Sequence, residues 1–245
     1  TIYEPGSIFK PLTVAMGIDA QKISPQTTYF DSGELTLNGF TIKNAEQKSF
    51  GESTMQFALN NSLNTGMAFI QRQVGQESFK DYMNRFWFGK ETGIDLPGEL
   101  TGNLNNIFGS RAVVRDINFA TASYGQGIAV TPIQMITAFN AIVSDGQVRK
   151  PQIVKEFRHK DGTVDKVDPE ILGQAVSQET VDTLRQMLVD TVETGQAKQA
   201  SVEGYYIGGK TGTAQIASPE GGYGDDTYQS FIEFGTLADT RFTML

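Results

Sequence analysis

The distribution of hydrophobic periodicity along the chain constrains its fold more tightly than any single motif. Through the middle of the 245 residues, apolar side chains recur at steps of three and four, the repeat of an amphipathic helix. Phe79, Tyr82, Met83 and Phe86 make one such stripe, and Val181, Leu184, Leu188 and Val192 make another. From residue 205 the pattern changes: 205–216 is strand-like but full of glycine, and 228–236 and 241–245 read as two further strands. Helices in the middle and strands at the end, with no regular βαβ alternation, predict an α+β fold rather than a doubly wound α/β one. Glycine within a strand marks close approach of another backbone or of a ligand.

Capping and breaking residues set the remaining boundaries. A helix begins at Ser7, after Pro5-Gly6, and runs to about Met16, with Gly17 weakening an extension toward Ala20. Pro25, Gly33 and Gly39 break residues 21–50 into short pieces, with strands at 28–30 and 34–37. Ser53 is the expected cap of a helix through about Asn60. Asn60-Asn61-Ser62-Leu63-Asn64 favours caps and turns, so a connector precedes helices over 65–74 and 76–88. Residues 89–104 read as loop, punctuated by Gly93, Pro97, Gly98 and Gly102. A helix over 115–124 breaks at Gly125-Gln126-Gly127; the next opens at Thr131-Pro132 and runs to about Ser144. Residues 153–157 and 163–167 make a hairpin around Asp161-Gly162, and Ser177 opens a long helix that Gly195 ends. Residues 218–226 read as a connector.

Composition removes several kinds of chemistry. The chain has no Cys, which excludes disulfides, thiol nucleophiles and Cys-based metal sites. Its one His, His159, is expected to be solvated beside the Asp161-Gly162 turn. A serine nucleophile here would therefore need Lys, Tyr or a carboxylate as its base. The net charge of −8 argues against a broad basic face for nucleic acid, and leaves room for a local basic pocket. No apolar run is long enough to read as a membrane span.

Three short patterns each occur once. Ser7-Ile8-Phe9-Lys10 puts a hydroxyl and an amine on one helix face, roughly 5–6 Å apart at Cβ, where they can exchange a proton. Ser7 falls in the first turn, where backbone N–H groups lack partners and the local field is positive. Ser62-Leu63-Asn64 lies on the helix–helix connector and Lys210-Thr211-Gly212 on the glycine-rich strand. Taken alone, each has a plainer explanation: a helix start with a solvated lysine, two helix caps, an exposed strand lysine. Taken together and in this order, they match the Ser-x-x-Lys, Ser-x-Asn and Lys-Thr-Gly patterns of penicillin-binding proteins and serine β-lactamases. Longer words sharpen the match: Tyr3-Glu4-Pro5-Gly6-Ser7-Ile8-Phe9-Lys10, Lys90-Glu91-Thr92-Gly93-Ile94-Asp95-Leu96-Pro97-Gly98-Glu99, Tyr124-Gly125-Gln126-Gly127 and Gly209-Lys210-Thr211-Gly212-Thr213-Ala214-Gln215. In these the chain resembles the class B penicillin-binding proteins, the monofunctional D,D-transpeptidases that cross-link bacterial peptidoglycan.

The resemblance implies a penicillin-binding-protein/serine β-lactamase-like fold: an antiparallel sheet flanked by helices, with an all-helical subdomain. One transpeptidase domain then fills 1–245, with its helical part over about 21–200 and its sheet part over 201–245 together with the helix at 7–20. Family members carry an N-terminal membrane anchor, further strands and a C-terminal helix, so the chain is expected to be truncated at both ends and its sheet to be incomplete, with unpaired edges. In the implied chemistry Ser7 is the nucleophile and Lys10 its base. Ser62 relays a proton to the leaving amine, and Asn64 holds a substrate amide. Lys210 lowers the pKa of Lys10 and attracts the terminal carboxylate, to which Thr211 and Thr213 offer hydroxyls. Gly209 and Gly212 leave room for substrate along the strand edge, and the backbone N–H groups of Ser7 and Thr213 form the oxyanion hole. No metal or cofactor is required. The implied partners are a peptidoglycan stem peptide, β-lactam antibiotics and a membrane glycosyltransferase of the division or elongation machinery, on the extracytoplasmic side of the membrane. The two alternatives are a serine β-lactamase or D,D-carboxypeptidase, which release the acyl group to water, and a non-catalytic β-lactam-sensing or scaffold module. Glu99 faintly resembles a β-lactamase deacylating glutamate, at a different spacing.

Overall fold

The computed structural model describes residues 1–109, 114–217, 223–236 and 242–245. A 3-10 turn over Gly6–Phe9 runs directly into α1 (Lys10–Asp19). Then come β1 (Thr28–Asp31), β2 (Glu34–Leu37), β3 (Phe40–Lys43), β4 (Gly51–Thr54), α2 (Met55–Asn60), α3 (Asn64–Val74) and α4 (Gln76–Arg85). The middle continues with α5 (Asn105–Phe108), α6 (Asp116–Ala122), α7 (Pro132–Val143), β5 (Gln147–Arg149), β6 (Glu156–Arg158), β7 (Val164–Lys166), β8 (Ile171–Gln174) and α8 (Gln178–Thr194). The chain closes with β9 (Ile207–Ala217), β10 (Tyr223–Gly235) and β11 (Phe242–Met244).

Those last three strands form one antiparallel sheet in the order β11-β10-β9, with Lys210 opposite Ile232 and Gly212 opposite Ser230. Among the described residues β9 is an edge strand. The helical part also carries four short antiparallel pairs: β1 with β4, β2 with β3, β5 with β8 and β6 with β7.

α1 is the hub. Leu12, Val14, Ala15 and Met16 are all fully buried, and the helix packs on α3, α7 and α8 while the turn before it packs on β9. A helix apolar on all sides is the pattern of a core helix. Its C-terminal Asp19 ties the bundle together, accepting from the Tyr82 hydroxyl (2.7 Å) and Arg85 on α4, and from the Ser177 N–H (2.7 Å) and Thr180 at the start of α8. Burial works to raise the pKa of this carboxyl, but the Ser177 and Tyr82 hydrogen bonds and the Arg85 charge outweigh it and hold it below its usual value.

Several boundaries differ from expectation for local reasons. Ser53 belongs to β4, and Thr54 caps α2 by accepting from the Phe57 N–H at 3.1 Å. The helix expected over 76–88 stops at Arg85, and Trp87 takes a positive φ of 69°. β3 was not expected. Asn38-Gly39 (φ 50° and 82°) forms a two-residue turn between β2 and β3, the conformation for which Asn-Gly is favoured. In the expected connector, 223–226 lie in β10 and 218–222 fall outside the described residues; of the strand expected over 241–245, Phe242–Met244 form β11 and Arg241 falls outside the described residues.

Candidate active site

The chain is pinned in place before it reaches Ser7. Tyr3 and Val130 exchange backbone hydrogen bonds of 3.0 and 2.9 Å, and the Glu4 carboxylate accepts from the Gly127 N–H at 3.1 Å. The Gly6 N–H donates to the Gly125 carbonyl at 3.0 Å. Gly125 has φ +80°, and a Cβ there would stand 2.2 Å from the Gly6 oxygen, so only glycine lets these two turns meet. On the opposite side β9 presses against the same turn. A Cβ at Gly212 would stand 2.7 Å from Ile8 Cγ2 and 2.6 Å from Ser230 Oγ. One at Gly209 would meet the Ile232 carbonyl oxygen at 2.7 Å. The space these glycines leave lets β9 pack closely on the Ser7 turn and on β10. Ser7 itself lies in a 3-10 turn rather than an α-helix; side chains three residues apart eclipse in that geometry, which aligns Ser7 with Lys10.

Lys10 is completely buried, not solvated. Its Nζ crosses to the α2–α3 connector, donating to the Ser62 carbonyl at 2.5 Å and to Ser62 Oγ at 3.0 Å. Ser62 presents both oxygens by adopting φ +56°, a left-handed conformation that costs a non-glycine residue about 1–2 kcal/mol. Lys210 is also buried, at 1% exposure, and donates to the Thr211 carbonyl at 3.0 Å. Burial pushes Lys10 well below the ordinary lysine range, and the neighbouring Lys210 charge pushes it further the same way. Burial alone lowers Lys210 to about 7.

In front of the two lysines opens a cavity of about 670 Å³. Ser7, Ser62, Asn64, Thr211 and Thr213 line it, while Lys10, Lys210 and Gly212 lie outside its lining. Asn64 does not cap α3; its Nδ2 donates to the Lys43 carbonyl at 2.8 Å. Thr213 Oγ1 donates to Gln229 on β10 at 3.0 Å. Among the described lining residues none is Asp, Glu or His, and Lys43 adds a cation, so the wall is basic on a chain of charge −8.

Other residues singled out in the sequence sit elsewhere. Glu99 accepts from the Thr92 N–H, the Thr92 hydroxyl and the Gly93 N–H at 2.6–2.9 Å, closing its own loop away from the cavity. Asp95 accepts from the Ile153 and Val154 N–H groups, fastening that loop to the segment before β6. His159 is exposed on the β6–β7 hairpin against Asp165, at 2.8 Å. Conversely, the cavity wall includes residues given no role beforehand: Tyr124 and Gln126, Thr121 on α6, Gln196 after α8, and Phe40 to Lys43 of β3. Burial, then the Glu4 carboxylate, raise the Tyr124 hydroxyl far above its usual value and keep it protonated. Tyr124-Gly125-Gln126-Gly127 was visible as a word, and the Asn38-Gly39 turn signal could have marked β3; no local signal marked Gln196.

A buried lysine three residues after the serine, with no histidine among the described lining residues, is the arrangement of the serine acyltransferases of penicillin-binding type. The chain belongs to the penicillin-binding protein transpeptidase domain family, whose model matches residues 1–245. It is 36% identical over 241 residues to the stage V sporulation protein D of Bacillus subtilis, covering 97% of this chain and 36% of that protein. It is 29% identical over 224 residues to the peptidoglycan D,D-transpeptidase FtsI of Escherichia coli, covering 91% of this chain and 35% of that one. The chain thus spans about a third of the length of these curated relatives. Penicillin-binding protein 3 of Mycobacterium tuberculosis, in a crystal structure complexed with ampicillin, superposes with a TM-score of 0.91 at 30% identity, covering 99% of this chain and 55% of that one.

Proposed function

We propose that the protein is a peptidoglycan D,D-transpeptidase that works through a Ser7 acyl-enzyme, and that β-lactams acylate the same serine. The observation that carries this reading is the pair of buried lysines behind the cavity. Buried, and with Lys210 beside it, Lys10 gives up its proton far more readily than a free lysine and can act as a base near neutral pH.

The steps follow from the residues. Ser7 Oγ attacks the carbonyl carbon of the penultimate D-Ala as its proton passes to Lys10 Nζ. The C–N bond breaks, and the departing D-Ala amine takes a proton from Lys10 through the Ser62 hydroxyl, which is already bonded to Lys10. An amine of a second stem peptide then attacks the ester carbon and gives a proton to Lys10; the C–O bond breaks and Lys10 returns the proton to Ser7 Oγ. The backbone N–H groups of Ser7 and Thr213 receive the oxyanion, and Asn64 holds the donor amide. Lys210 lies behind the cavity wall, so it attracts the terminal carboxylate through its charge while Thr211 and Thr213 make the contact. No carboxylate or histidine among the described lining residues offers a dedicated deacylation base besides Lys10, which favours transfer to an amine over β-lactamase turnover. Peptidoglycan places the site on the extracytoplasmic side of the membrane, with a membrane glycosyltransferase as the partner that supplies glycan. No helix among the described residues is long and apolar enough to cross a membrane.

Intact mass after incubation with benzylpenicillin tests the proposal. One stable adduct that disappears in Ser7→Ala is expected. A folded protein that forms no adduct, or one whose adduct survives Ser7→Ala, would overturn it.

A further inference from the structure

Asp31 ends β1 as a fully buried carboxylate outside the cavity lining. It accepts hydrogen bonds from four separate pieces of chain. Its Oδ1 receives the Gly33 N–H (3.1 Å), Asn44 Nδ2 (2.9 Å) and the Thr65 hydroxyl (2.7 Å), and its Oδ2 receives the Phe50 N–H (3.0 Å). An ionised carboxylate only accepts, so it dictates the orientation of every donor around it. Asn44 must turn its NH2 toward Asp31 and its Oδ1 toward α3, where that oxygen accepts from the Thr65 N–H at 3.2 Å. With the Thr65 hydrogen spent on Asp31, the Tyr29 hydroxyl, 3.2 Å away, is left to donate to Thr65 Oγ1.

The consequence reaches the cavity through Asn44, which lines it, and one residue back along each segment. Asn44 follows Lys43, and Thr65 follows Asn64. Once Asn44 and Thr65 are locked together, the Lys43 carbonyl and the Asn64 side chain face each other, and Asn64 Nδ2 donates to that carbonyl. We infer that Asp31 is a positioning residue for Asn64: through Thr65 and Asn44 it sets the amide of Asn64 in the cavity wall, and with it the capture of a ligand amide next to Ser7. This rests on the proposed acylation of Ser7.

A double-mutant cycle read by the second-order rate of benzylpenicillin acylation tests the inference, with thermal midpoints recorded for each variant. Asp31→Asn puts an amide N–H among donors and should slow acylation about tenfold, equivalent to ~1.4 kcal/mol. In an Asn64→Ala background the same change should cost little, because the group it positions is gone. Thr65→Val, which removes the hydroxyl and keeps the shape, should repeat this pattern, and Thr65→Ser should restore the parent rate. This pair carries the cycle if Asp31→Asn does not fold. Equal losses with and without Asn64, or no loss, would overturn the role of Asp31. Absence of any adduct on the parent protein would instead overturn the reading of the site.

Discussion

At the scale of single residues, the site depends on two ammonium groups placed where ammonium groups are unfavourable. Lys10 and Lys210 are buried near each other, and both lose affinity for protons. The sign of the effect on stability follows directly. An unfolded lysine titrates near 10.5 and folded Lys210 near 7, so between those values the unfolded chain holds more protons and stability rises with pH. Lys210→Met should therefore raise the thermal midpoint at pH 7 by the equivalent of ~1.4 kcal/mol or more, the worth of one pKa unit. It should also flatten the gain in stability between pH 7 and 10, and slow acylation. Thermal melts across that range check the first two effects and acylation kinetics the third; a midpoint at pH 7 below that of the parent would contradict the account. Ser-x-x-Lys, Ser-x-Asn and Lys-Thr-Gly were legible as words. Their burial was not, because burial depends on what the remaining residues place around them.

At the scale of elements, the Ser7 turn is held between two pieces of backbone that approach it only through glycine. Gly125 and Gly162 both sit at positive φ, but a Cβ at Gly125 would strike Gly6 whereas at Gly162 nothing lies within 4 Å. Gly162→Ala should cost only the local strain, about 1–2 kcal/mol. Gly125→Ala should cost more, and it should also slow acylation by displacing Gly6 and Ser7. Melting and acylation measured side by side on the two variants separate strain from displacement; equal acylation rates would contradict the role given to Gly125. Most helices were readable because periodicity and caps are local: Thr131 and Gln134 form a reciprocal capping box, and Ser177 accepts from the Thr180 N–H. β5 and β8, at three and four residues, carry no such signal, since their pairing partners lie far apart in sequence.

At the scale of the whole molecule, α1 joins the helical part to the sheet, and its amides should exchange with solvent only on global unfolding. The β6–β7 hairpin, whose Val164–Lys166 strand is exposed throughout, should exchange by local opening at much lower cost. Hydrogen exchange followed by mass spectrometry distinguishes the two; similar protection in both would contradict a core centred on α1. By itself the sequence determined the α+β class, most helices, the absence of thiol side chains and the three short words that mark the candidate site. Each of those rests on residue type and short-range spacing. The tertiary structure alone decided that Lys10 bonds Ser62 rather than lying in solvent, that Gly209 and Gly212 let β9 pack closely on its neighbours, and that Asp31 holds Asn44 and Thr65 in place beside Lys43 and Asn64. Those outcomes depend on contacts such as Lys10–Ser62, 52 positions apart, and Asp31–Thr65, 34 positions apart, which no local pattern encodes.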